Sequence, residues 1–215
     1  VISQILFVKH ATCANLNNMS IINELKRYPA KSKLALMIRH GDRENIPSGE
    51  HGNEVLLNKK GEDNSLAFGK SLQGFMINKI LTSPIPRCVQ TGQLIAKGYG
   101  SELEIVQTTC LGAPGLHVTD DALAGAYFLK HGFFKILDEF IRGEPSPGLS
   151  DATLYNRSMT EFINANTQEN GLTLFITHDS LIALYHYCLN KTAYTPDNWV
   201  KYLEGIIVDT TKNVN

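Results

Sequence analysis

The chain is poor in several things at once, and each scarcity excludes something. Only four of its 215 residues are cysteine and one is tryptophan. Cys13, Cys88, Cys110 and Cys188 are scattered, with no C-x-x-C pair, which argues against a zinc framework or a disulfide-dense scaffold and for reduced, mostly buried thiols. No apolar run approaches the roughly 20 residues that a membrane span needs. Residues 1–8 are apolar but short, without a basic leader or a small-residue cleavage site, so no signal peptide is expected and the cytoplasm is the expected location. Neither sign of charge dominates: Lys plus Arg is 20 and Asp plus Glu is 21, for a net charge of −1. That balance argues against a dedicated nucleic-acid binder, whose affinity rests on many cation–phosphate contacts, but leaves room for a small anion held by a few arginines. Metal-ligand spacings such as H-E-x-x-H, internal repeats and low-complexity tracts are also missing.

What is present is a chain that is 43% hydrophobic, enough to bury the core of one ordinary domain. Two short apolar runs stand out. Leu34–Ile38 ends in Arg39-His40-Gly41-Asp42-Arg43, and Leu172–Thr177 ends in His178-Asp179. Such runs read as buried strands. Ile77–Thr82 and Glu104–Thr108 read as further strands, and the segment Trp199–Val208 is expected to hold one more. Helices are expected at about 61–78 (with Leu66, Phe68, Leu72, Phe75 and Met76 facing the core), 86–98 after Pro84 and Pro86, 121–131, 132–142, 151–168 and 180–189. Strands alternating with helices predict an α/β fold, a three-layer sandwich whose mainly parallel central sheet has helices on both faces. Residues 1–32 read as an N-terminal extension packed on a main fold spanning 33–215, with Asn18 or Ser20 capping a short helix through Ile21, Ile22 and Leu25 that Pro29 stops. His10 in this extension carries no expected role.

In an open α/β sheet, ligands bind beyond the carboxyl ends of the strands. Three strand ends carry the notable polar residues: Arg39, His40 and Arg43; Ser83 and Arg87 in the stretch Ser83-Pro-Ile-Pro-Arg-Cys-Val-Gln-Thr91; and His178 with Asp179. Parallel strands bring all three to one edge. Arginine's planar fork grips phosphate oxygens and stays charged, and imidazole can carry a covalent phosphoryl group. The loops 44–58 and 110–120 are expected to rim the pocket, with His51 and His117 in them expected to face solvent. His131 and His186 are expected to be structural.

These three motifs, in this order, resemble those of the histidine phosphatase superfamily, the phosphoglycerate-mutase-like fold, over roughly 33–210. The size is that of a short phosphatase-type member. The resemblance implies a nucleophile at His40, a phosphoryl group held by Arg39, Arg87 and His178 with Arg43 as a further ligand, and no metal or other cofactor. Mutase-like members carry a glutamate after the second motif, whereas the corresponding region here, 110–120, has none. Acid-phosphatase-like members carry a His-Asp pair at the third motif, which His178-Asp179 resembles. Asp179 is therefore the first candidate for general acid, with Asp120 and Asp121 behind it and Ser83 a further candidate for phosphate contact. The expected activity is that of a metal-independent phosphomonoesterase working on a phosphorylated small molecule or phosphoprotein. A phosphohistidine or phosphoserine protein phosphatase, and a catalytically silent phosphate-binding module, are the alternatives. Neither nucleic acid nor membrane is an expected partner.

Overall fold

A computed structural model of the chain describes residues 11–16, 18–47 and 49–211, with side chains considered from residue 20 onward. Six strands form one sheet in the order β1-β6-β2-β5-β3-β4. Strands β2 (Lys33–Arg39), β5 (Gly171–Thr177), β3 (Ile77–Thr82) and β4 (Ile105–Gln107) run parallel. β6 (Gly205–Asp209) is antiparallel to β2, and the edge strand β1 (Ala11–Leu16) is antiparallel to β6. The segment read as an N-terminal extension thus adds a strand to the sheet edge, followed by helix α1 (Asn18–Leu25). Ile21, Ile22 and Leu25 of that helix are buried.

Alternation along β2 divides the core in two, because successive strand side chains point to opposite faces. Leu34, Leu36 and Ile38 pack on one side with α1 residues and with Phe68, Leu72, Cys88 and Ile95. Those come from α2 (Lys59–Ser71), the turn after it, and α3 (Pro86–Tyr99). Ala35 and Met37 pack on the other side with Leu137, Tyr155, Met159 and Tyr185. These belong to α5 (Phe133–Arg142), α6 (Ala152–Asn166) and α7 (Asp179–Asn190), while α4 (Asp121–His131) forms a hairpin with α5. The expected three layers are present.

One expectation needs correction. Helix α2 starts on its N-cap Asn58 and ends at Ser71, well short of 78. The backbone turns at Leu72, whose carbonyl takes the N–H groups of Gly74 and Phe75, so Met76 is exposed rather than core. The closing segment holds its expected strand as β6; the stretch 199–204 before it is loop, which runs back over the sheet edge where the motifs meet. Elsewhere the strand and helix positions agree with the expected ones to within a few residues. No helix among the described residues is long and apolar enough to cross a membrane.

Candidate active site

Parallel β2, β3 and β5 end at one edge, and their following residues converge there. Arg39 is the last residue of β2. Its backbone is held on both sides, with N–H donating to Glu204 O and carbonyl accepting from Leu203 N. Its guanidinium, 8% exposed, donates through Nη1 to Val200 O at 2.6 Å and pairs through Nη2 with Asp179 Oδ2 at 2.8 Å. The Tyr202 ring lies 4.1 Å from its Cζ, a cation–π contact. Its Nε is buried with no hydrogen-bond partner.

His40 follows, 2% exposed. Arg87, in the first turn of α3, donates from Nε to His40 Nε2 at 3.0 Å, so Nε2 is the acceptor and Nδ1 carries the proton. Nδ1 in turn donates to Gly41 O at 2.8 Å. This fixes the neutral tautomer with its lone pair on Nε2. Burial, reinforced by His178 and then Arg87, holds the His40 pKa well below the ordinary histidine range. Thr91 locks the two motifs together: its hydroxyl donates to Arg87 O and accepts from Gly41 N–H.

The His178 ring lies against both Ser83 and the His40 ring. Its Nε2 lies 3.1 Å from Ser83 Oγ, and the two imidazole centroids are 5.5 Å apart. Burial, then the Arg87 charge, pushes its pKa down to about 3. Gly112 makes this possible. Its φ of +133° and its position leave no room for a side chain, since a Cβ there would lie 2.6 Å from the His178 ring.

The remaining candidates divide. Arg43 is partly buried beside Arg87, which feels its charge; its Nη1 donates to Glu44 O and its Nε has no partner. Asp179 is an acceptor on both oxygens: Oδ1 from Ser180 N–H, Oδ2 from Arg39 and from the Trp199 indole at 3.0 Å. Asp120 is spent as the N-cap of α4, accepting from Leu123 N–H. Asp42, within the first motif, is paired with Lys60 at 2.7 Å and holds α2 to the loop. Cys88, beside His178, is no alternative nucleophile, because burial pushes its thiol up to about 12.

A pocket of about 320 Å³ opens from Arg87 and His178 beneath the α4–α5 hairpin. His51 and His117 line it; His51 is exposed at its rim, as expected, whereas His117 is turned inward, which corrects the expectation for that residue. His51 stacks on Phe128 at 5.9 Å. His117 is drawn inward between two cavities, its Nδ1 is buried without a partner, and burial pushes its pKa down to about 4. Of the two structural assignments, His186 is buried with Nδ1 on Thr192 O, while His131 is exposed against the Tyr127 ring.

Sequence reasoning missed Tyr202 and Trp199, which brace Arg39 and Asp179 from a loop with no periodic signal. Thr91 carried a faint one, since it sits one helical turn after Arg87. Among the described residues no group of three or more His, Cys, Asp or Glu is placed to hold a metal.

A family model described as the histidine phosphatase superfamily (branch 1) matches residues 35–111, a span that includes Arg39, His40, Arg43, Ser83 and Arg87. No curated protein matches the sequence significantly. Among solved structures, phosphoglycerate mutase from Bacillus anthracis is similar over 84% of this chain and 91% of its own, with a TM-score of 0.55 and 15% identity. A mycobacterial glucosyl-3-phosphoglycerate phosphatase is similar over 75% and 81%, with a TM-score of 0.52 and 20% identity. A protein called mycobacterial hydrolase 1 is similar over 75% and 83%, with a TM-score of 0.51 and 19% identity. At these identities the likeness is one of fold.

Proposed function

We propose that this chain is a member of the histidine phosphatase superfamily and a metal-independent phosphomonoesterase that works through a phosphohistidine on His40. The observation that carries the reading is the tautomer of His40: Nδ1–H is tied to Gly41 O, which leaves the Nε2 lone pair directed at Arg87. A neutral, oriented imidazole beside a guanidinium has what in-line attack on phosphorus requires.

In this mechanism Arg87 exchanges its bond to His40 for bonds to phosphoryl oxygens. Arg39, Arg43 and His178 hold the other oxygens, and the arginine charges stabilise the transferring group. His40 Nε2 bonds to phosphorus as the ester P–O bond breaks. As the phosphoryl group takes over Arg39, Asp179 leaves its ion pair and picks up a proton from solvent, and it gives that proton to the leaving oxygen as the P–O bond breaks. Asp179 then takes a proton from water as water attacks phosphorus, the N–P bond breaks, and inorganic phosphate and neutral His40 are released.

The expected test outcome is that His40→Ala abolishes hydrolysis of an aryl phosphate, that chelators leave the parent enzyme unaffected, and that rapid quench traps a covalent phosphoenzyme. Full activity in the His40→Ala variant refutes the assignment. A second reading, a non-catalytic phosphate-binding module, is favoured by one observation: both oxygens of Asp179 are already engaged as acceptors. Such a module binds phosphate with the same arginines and yields no phosphoenzyme.

A further inference from the structure

We propose that the pocket beside the phosphoryl site selects monoesters of an uncharged, apolar, ring-sized alcohol and discriminates against substrates that carry a second anionic group. For turnover this rests on the phosphatase reading above; for binding it rests on the pocket alone. The cavity of about 320 Å³ begins at Arg87 and His178, so whatever is esterified to the bound phosphoryl group must occupy it.

Its apolar walls include Ile85, Phe128, Phe133, Ile136, Leu149 and Leu181, with Asn53 and Ser180 among its polar lining. Arg87 is the only Lys or Arg among the described residues lining it, and that guanidinium belongs to the phosphoryl group. The lining also contains a carboxylate, Asp121, which repels a second anion. The two buried imidazoles add no positive charge near neutral pH, since His117 titrates at about 4 and His178 at about 3. A carboxylate or second phosphate would therefore lose hydration among apolar side chains with no lysine or arginine beyond Arg87 to meet it, the third lining imidazole, His51, standing at the exposed rim. A ring-sized hydrocarbon in the same place gains from burial against Phe128, Phe133 and Ile136.

The test compares 2-phenylethyl phosphate with 3-phosphoglycerate, both alkyl esters, so that leaving-group acidity differs little. Two readouts run side by side: kcat/KM with the parent chain, and Kd by calorimetry with His40→Ala. The expected result is a preference of at least about tenfold for 2-phenylethyl phosphate in both. Phe128→Arg, at a residue 37% exposed, brings a cation to the rim and is expected to narrow that preference several-fold by improving 3-phosphoglycerate. Equal or better use of 3-phosphoglycerate, with hydrolysis still dependent on His40, overturns the selectivity and leaves the phosphatase reading standing. A Kd preference without turnover of either ester does the reverse. Equal Kd values overturn the selectivity whatever the kinetics.

Discussion

Moderate acid should strip this fold of much of its stability, and the reason lies in its buried imidazoles. In the unfolded chain a histidine binds a proton below about pH 6.5. In the native protein His178 binds one only near 3 and His117 only near 4, because both are buried. Between pH 7 and 5 the unfolded state therefore takes up protons that the native state refuses. Unfolding is favoured as pH falls, so stability is fully present above 6.5 and is lost towards the native values. Integrated from pH 7 to 5, each of these two histidines contributes about 2 kcal/mol of lost stability, roughly 4 kcal/mol together. His40 adds to the loss in the same direction. Domains of this size are stable by only about 5–15 kcal/mol, so the effect is large.

The window also separates histidine from carboxylate effects. Glu139, held down at about 2 by hydrogen bonds from Ser146 and Tyr127, loses its contribution only as pH falls below the ordinary carboxylate range. Urea unfolding at pH 7, 6 and 5 reads the prediction directly. With a slope of about 2 kcal/mol per molar urea, the midpoint should fall by roughly 2 M across the series. His117→Gln should keep the downward trend but reduce it by about 2 kcal/mol, whatever its stability at pH 7. Coincident midpoints at pH 7 and 5 in the parent would refute the reasoning, since they would mean that these imidazoles are as free to protonate in the native state as in the unfolded one.

Three further outcomes are expected. Gly112→Ala places a Cβ against the His178 ring at a φ of +133°, so it should lower both stability and kcat, by about 1–3 kcal/mol in urea unfolding; an unchanged kcat/KM would show that His178 does not touch the phosphoryl group. Asp179→Asn should slow alkyl phosphates at least about tenfold more than p-nitrophenyl phosphate if Asp179 is the proton donor; equal slowing would instead make it a positioning residue for Arg39. Tyr202→Leu removes the ring lying 4.1 Å from the Arg39 guanidinium and should weaken competitive inhibition by inorganic phosphate by about 2–10-fold, with a smaller change in kcat; an unchanged inhibition constant would remove Tyr202 from the site.

The charged half of this site is legible in the sequence for a topological reason. Arg39-His40, Ser83 and His178-Asp179 each stand where an apolar run stops, and parallel strands have no choice but to deliver their ends to one edge. Arg87 is carried there by the helix that Pro86 opens. The side chains that brace this cluster are not legible in the same way. Tyr202 and Trp199 come from a loop without periodicity, and their contacts with Arg39 and Asp179 depend on the path that the chain takes back to an antiparallel strand. The apolar half is hidden by an ambiguity of a different kind. Phe133 and Ile136 obey helical spacing, and an apolar residue at such a position reads as core whether it meets another side chain or the wall of a cavity. His117 shows the same ambiguity from the polar side: a histidine in a Gly/Pro-containing loop reads as solvated, yet the hairpin of α4 and α5 closes over it and leaves it between two cavities. The polar cluster is thus encoded by where strands end, which a sequence displays. The apolar wall of the pocket is set by which side of Phe133, Ile136 and Leu181 is left facing open space, and that becomes visible only when the layers are assembled.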